Sequence, residues 1–142
     1  MQEPTPEIHF RALEPKDVNF LLNSWLKSFR PSCPLVSDEV YFREQKRLVL
    51  RLLEDTNVLL ACDPVDPGVI WGYLVGASDG QGFGVVHWVY TKHALRKFGI
   101  ARALLAQAGI LAGFEASHLT DIGRRLLVDH PGLFTFNPWR AR

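Results

Sequence analysis

Val85-Val86-His87-Trp88-Val89-Tyr90-Thr91 followed by Lys92-His93-Ala94-Leu95-Arg96-Lys97-Phe98-Gly99-Ile100-Ala101-Arg102-Ala103-Leu104-Leu105 is the stretch whose reading decides the fold. Its first part is an apolar run continuous with Phe83, which reads as a buried central strand spanning Phe83 to Thr91. Its second part places Ile100, Leu104, Leu105, Ala108 and Leu111 at helical spacing, so a helix begins near Gly99. No Asp or Glu lies between Gly80 and Phe114, yet Lys92, Arg96, Lys97 and Arg102 gather at the strand-to-helix joint. A helix N-terminus offers unpaired backbone N–H groups and the positive end of the helix dipole, so added cations there suit an anion, phosphate above all. Gly99 and Ala101 leave room for close backbone approach. The same residues also read as a turn glycine with solvated cations, and both readings stand on spacing alone.

Outward toward the N-terminus, Ile8 to Ala12 alternates as a short strand and Pro15 opens a helical start. Val18, Leu21, Leu22, Trp25, Leu26 and Phe29 then mark one face of a helix stopped at Arg30-Pro31. Ser37 can cap a second helix with Tyr41, Leu48, Val49 and Leu52 inward, ending near Asp55. Val58 to Cys62 and Val69 to Ala77 read as an antiparallel hairpin across the turn Asp63 to Gly68.

Toward the C-terminus, the expectations are a short strand at Ser117 to Leu119, a helix from Thr120 or Asp121 to about Val128, and a last strand from Leu133 to Phe136. The order β-α-α-β-β-β-α-β-α-β predicts an α/β (α+β) single domain spanning 1–142, with a mixed central sheet of about six strands and about four helices. The ends, 1–7 and 137–142, are expected to be flexible.

The composition agrees with one domain: 142 residues, 47% apolar, 22% charged. A net charge of +1 excludes a broadly basic nucleic-acid coat and an acidic disordered chain. Cys33 and Cys62 are too few for a disulfide framework or a zinc knuckle, which points to a reducing compartment and no metal. The apolar runs are too short to span a bilayer and the start is unlike a signal peptide, so a cytoplasmic protein without a membrane partner is expected. A P-loop enzyme is disfavoured because no G-x-x-x-x-G-K-[ST] occurs.

Arg96-Lys97-Phe98-Gly99-Ile100-Ala101 resembles the Q/R-x-x-G-x-G/A motif of the GNAT superfamily of acyl-CoA-dependent N-acyltransferases. The preceding strand and the following Arg102 to Leu105 resemble that family too, and the element order from Ile8 to Phe136 extends the likeness along the chain. The resemblance implies acetyl-CoA as co-substrate and acetyl transfer to a primary amine by direct attack on the thioester, with no metal. It implies that the pyrophosphate sits on the backbone of Arg96, Lys97, Phe98, Gly99, Ile100 and Ala101, with Arg96, Lys97 and Arg102 adding charge. It implies that the pantetheine arm pairs with Val89, Tyr90 and Thr91, in a V-shaped opening beside the Ser117 to Leu119 strand.

Two positions depart from the pattern. Many relatives carry Gly where Lys97 stands, and many carry a catalytic Tyr on the helix that here spans Thr120 to Val128 without one. His87 lies close to where many relatives place an activating Glu, and an imidazole there could take a proton at neutral pH. His118 is the second catalytic candidate, at the end of the fifth strand. Each also reads as a structural histidine satisfied by its neighbours. Tyr90 falls on the face opposite His87 unless a bulge intervenes. Trp25, Trp71, Trp88 and Phe29 read as core rather than as acceptor-site wall.

Two other functions remain open at this stage. One is a non-catalytic GNAT-like domain that binds CoA or a protein partner. The other is a phage-encoded relative modifying DNA bases in the host cytoplasm, suggested by Thr120-Asp121-Ile122-Gly123-Arg124-Arg125 through Asn137-Pro138. It would contact nucleic acid through Arg124, Arg125, Arg140 and Arg142.

Overall fold

The computed structural model describes residues 7–141, the side chains of 96–98 excepted. Six strands form one sheet in the order β1-β2-β3-β4-β5-β6. They are β1 (His9–Ala12), β2 (Val58–Cys62), β3 (Ile70–Ser78), β4 (Phe83–Thr91), β5 (Gly113–Ala116) and β6 (Phe134–Phe136). The first four pair antiparallel, whereas β4–β5 and β5–β6 pair parallel. Among the described residues four α-helices connect them: α1 (Val18–Phe29), α2 (Asp38–Asp55), α3 (Ile100–Gln107) and α4 (Asp121–Asp129). This is the mixed α/β domain expected from the element order. No helix among the described residues is long and apolar enough to cross a membrane.

The helices start where polar side chains take up free backbone amides. Ser37 accepts from the Val40 N–H at the start of α2, and Thr120 accepts from the Gly123 N–H at the start of α4. The apolar face of α1 buries Leu21, Leu22, Trp25 and Leu26, and α2 buries Tyr41, Val49, Leu52 and Leu53. Leu48 is only partly covered; Leu53 takes the inner position that spacing did not assign. These side chains pack on Leu60, Cys62, Tyr73, Val75 and Trp88 of the sheet. The opposite sheet face is covered by α3, whose Ile100 and Leu104 meet Ala61 and Leu74.

Two elements fall elsewhere than the sequence suggested. The fifth strand is Gly113–Ala116 and not Ser117 to Leu119, because Phe83 to Val86 of β4 selects Gly113 to Ala116 as its partner. Only the Ser117 N–H extends the ladder, donating to the Val86 carbonyl at 3.2 Å. Helix α3 ends at Gln107, short of Leu111, because Gly109 turns the chain with φ of 80° and leaves Leu111 exposed. At the C-terminal end, Pro138–Ala141 forms a 3-10 turn where a fraying tail was expected. Arg140 pairs with Glu115 and Arg51 donates to the Ala141 carbonyl, so the turn is tied to both β5 and α2. The expectations for residues 1–6 and Arg142 lie outside the described residues.

Candidate active site

Strand β4 builds the site through its irregularity. Trp88 opposes Val75 and Val86 opposes Gly76, so His87 is an extra residue with no partner on β3. This is a β-bulge, and Gly76 makes it possible: a Cβ there would lie 2.3 Å from the Val85 carbonyl oxygen. The bulge reverses the parity expected along β4. Trp88 and Tyr90 pack on the α1/α2 face, and His87 reaches that face as well, bonded to Ser117 and sensing the Arg51 charge from α2.

The other edge of β4 is where the sheet opens. Pairing with β5 covers Phe83 to Val86 only. On the β3 side, the Lys92 N–H donates to the Trp71 carbonyl at 2.9 Å. Stepping by two residues, Tyr90 and Trp88 turn their backbone groups toward β3, so those of Val89 and Thr91 face the open edge. Between β4 and the elements beyond it lies a cavity of about 430 Å³. Its lining includes His87, Tyr90, His118, Ser28 of α1, Ala101 of α3 and Phe114 of β5.

At the mouth of this opening, a 3-10 turn at His93–Phe98 leads into Gly99, whose φ of 71° is left-handed. Glycine is needed there for the conformation, and the space a side chain would occupy is open. Gly99 offers no side chain to cap α3, and the first intrahelical bond runs from Ala103 to the Gly99 carbonyl. The N–H groups of Ile100, Ala101 and Arg102 are therefore first-turn donors without an intrahelical partner. Ile100 itself is fully buried against Ala61 and Leu74, so it can serve a ligand only through its backbone. Arg102 is exposed on α3. The side chains of Arg96, Lys97 and Phe98 lie outside the described residues.

On the floor of the cavity, the two candidate histidines are brought together by a residue the sequence reading missed. Ser117 Oγ stands 2.7 Å from His87 Nδ1 and 2.9 Å from His118 Nδ1. Gln45 of α2 then places its Nε2 at 3.0 Å from His118 Nε2. Aromatic rings enclose His118: Phe29 at 4.9 Å and Trp25 at 5.3 Å between centroids, with Trp88 at 6.1 Å. Trp25 is core, as expected; Trp88 is buried too and also lines the cavity.

Burial, with a smaller push from His87, lowers the His118 pKa to about 4. Burial lowers the His87 pKa as well, reinforced by the positive charge of Arg51. Both imidazoles are thus neutral at pH 7. The signal for Ser117 was faint: a hydroxyl beside a candidate histidine at a strand end. Its partner His87 lies thirty positions away in the chain.

Other candidates are dispersed. Tyr90 stacks on Tyr73, with centroids 5.2 Å apart, and its ring borders the cavity. His93 is exposed, and Lys92 lies over the Phe20 ring. Arg124 and Arg125 are exposed on α4, while Arg140 is engaged by Glu115.

The fold recurs in solved structures. The fold matches a Pyrococcus furiosus protein assigned as an acetyl transferase, with TM-score 0.58 and 15% identity over 89% of this chain and 92% of that one. It also matches a GNAT family acetyltransferase from Brucella melitensis in complex with acetyl-CoA, with TM-score 0.50 and 21% identity over 84% and 81% of the two chains. YjaB from Escherichia coli matches with TM-score 0.52 and 21% identity over 72% of this chain, which spans only 65% of YjaB. No protein-family model and no curated protein matches the sequence. The fold is that of the GNAT acetyltransferases.

Proposed function

We propose that this chain is an acyl-CoA-dependent N-acyltransferase that moves an acetyl group from acetyl-CoA to an amine. The observation that carries the reading is the open edge of β4 at Val89 and Thr91, continuous with the uncapped amides behind Gly99 and with the cavity holding His87 and His118. Those features fit the parts of an acyl-CoA. The free N–H groups at the start of α3 would hold the pyrophosphate, with Arg96, Lys97 and Arg102 supplying positive charge. The edge of β4 at Val89, Tyr90 and Thr91 would align the pantetheine amides as an added strand does. The thioester supplies an activated acyl group, so the protein's task is to orient the amine, handle its proton and stabilise the carbonyl oxygen as charge develops there. His87 and His118 are the titratable groups placed to do this. The Brucella neighbour, described as a complex with acetyl-CoA, supports the choice of co-substrate.

The test is calorimetric titration with acetyl-CoA, followed by thiol release across a panel of amines. Saturable binding with release of free CoA on at least one amine is expected. At one hundred times Kd, bound acetyl-CoA should raise stability by about 2.7 kcal/mol. Gly99→Asp should abolish that binding, since aspartate at a left-handed position is strained and puts an anion where phosphate belongs. Unchanged affinity in a folded Gly99→Asp protein would count against the site.

One observation favours a second reading, a domain that binds CoA without turnover: α4 carries no tyrosine to protonate a departing thiolate. Stabilisation by acetyl-CoA with no thiol released on any amine selects it.

A further inference from the structure

We infer that His87 acts as a neutral hydrogen-bond donor to the acyl carbonyl oxygen, its Nε2–H directed into the cavity by a one-way chain from Gln45 through His118 and Ser117. This inference rests on the acyltransferase reading and assigns a task within it. It replaces the expectation that His87 is the base.

The hydrogen bonds fix where each proton of the chain sits. An amide nitrogen only donates, so Gln45 Nε2, 3.0 Å from His118 Nε2, makes that ring nitrogen the acceptor. A neutral His118 then carries its proton on Nδ1 and donates it to Ser117 Oγ at 2.9 Å. Ser117 has one hydroxyl proton, which goes to His87 Nδ1 at 2.7 Å. A neutral His87 is left with its proton on Nε2. Among the described residues, the buried side-chain nitrogens and oxygens lacking a partner are Trp25 Nε1 and Trp88 Nε1. Among the described residues His87 Nε2 has no hydrogen-bond partner and is not fully buried, and His87 lines the cavity.

Both rings must stay neutral for this to hold, and their surroundings keep them so. Ser117 and His87 are each 5% exposed, Phe29, Trp25 and Trp88 surround His118, and Arg51 is the charged group acting on His87 from α2. Among the described residues no carboxylate bonds to either ring, so an added proton would be buried unpaired. A neutral imidazole N–H can polarise a carbonyl, and donors aligned head to tail strengthen one another. Ser117 is then a positioning residue that fixes which nitrogen of His87 carries the proton.

The first measurement uses the unliganded protein. Nitrogen-15 NMR of the histidine rings should show His87 as the Nε2–H tautomer and His118 as the Nδ1–H tautomer, unchanged from pH 6.5 to 8. An Nδ1–H or doubly protonated His87 overturns the inference. Ser117→Ala should release His87 into a mixture of tautomers; an unaltered His87 spectrum means that the chain does not direct it.

The second measurement is the infrared carbonyl stretch of acetyl-CoA labelled with carbon-13 at the acyl carbon, which needs no acceptor amine. Binding to the wild-type protein should lower its frequency. His87→Ala should cancel that shift, and His87→Gln, which keeps an N–H donor, should retain part of it. Equal shifts in wild-type and His87→Ala complexes refute the role of His87. Absence of acetyl-CoA binding to the wild-type protein is a different failure, visible in the titration itself, and it removes the acyltransferase reading and this inference together. On any amine that supports turnover, His87→Ala should cost about 100-fold or more in kcat, as loss of a preorganised donor does.

Discussion

The two edges of β4 are made from the same nine residues and have opposite fates. Toward β3 the strand is paired from Gly84 to Thr91, interrupted only at His87, and the helices α1 and α2 seal that half over Trp25, Tyr73 and Val75. Toward β5 the pairing stops after four residues, and the helix beyond, α4, buries none of its side chains. The antiparallel half is packed against helices, and the parallel half leaves a strand edge unpaired beyond Val86. The packed core and the proposed ligand edge therefore sit on different sides of one strand.

The sharpest way to break this contrast is to remove its heaviest core group. Trp25 is fully buried and stacked on Trp88, with centroids 5.4 Å apart. Trp25→Ala should cost about 3–5 kcal/mol in urea unfolding, and a loss under 1 kcal/mol would show that the sealed half is not the stable one. Acid should act where the two halves meet, at His118 packed against Trp25. The folded His118 has a pKa of about 4, below its ordinary value, so the unfolded chain takes up the proton first as pH falls. Its contribution is complete above about pH 6.5 and is lost as pH falls toward 4, by about 3 kcal/mol in all. His87, lowered in the same direction, adds to that slope. Unfolding curves at pH 7, 5.5 and 4.5 measure it, and His118→Gln should flatten most of the dependence.

Gly76→Ala tests the junction between the two edges. The added Cβ meets the Val85 backbone, which should cost about 1–3 kcal/mol and displace His87 from Ser117. Loss of the His87 ring signature in nitrogen-15 NMR without global unfolding would sharpen the link between the bulge and the site. The smallest effect is expected on α4: Leu126→Ala, at a residue 41% exposed, should change stability by about 0.5 kcal/mol or less. A larger loss would show that the open half carries more of the fold than its packing indicates.

The sequence made the sealed half easy to read. Val18 to Phe29 carries a helical stripe of large apolar groups, and Ser37 is a capping residue that acts locally, so short-range rules sufficed. Strands β2 and β4 begin and end where their apolar runs do. The open half was harder, because β5 is only four residues long and its place is set by pairing with β4 and not by a local pattern. Candidates His87 and His118 could be named from position, but not their union. Ser117 and Gln45 join them across thirty and seventy-three positions of chain, a closure that only the folded sheet and α2 bring about. The same distance hid the bulge, whose cause is a glycine on the neighbouring strand.

That extra residue in β4 separates two kinds of selection on one strand. Because His87 has no cross-strand mate, its side chain answers to the chamber and to Ser117 and not to the hydrogen-bond ladder. A descendant could exchange the imidazole for another functional group while Trp88, Tyr90 and their mates keep the wall unaltered. New reactivity could thus be sampled at that single locus without renegotiating the architecture around it.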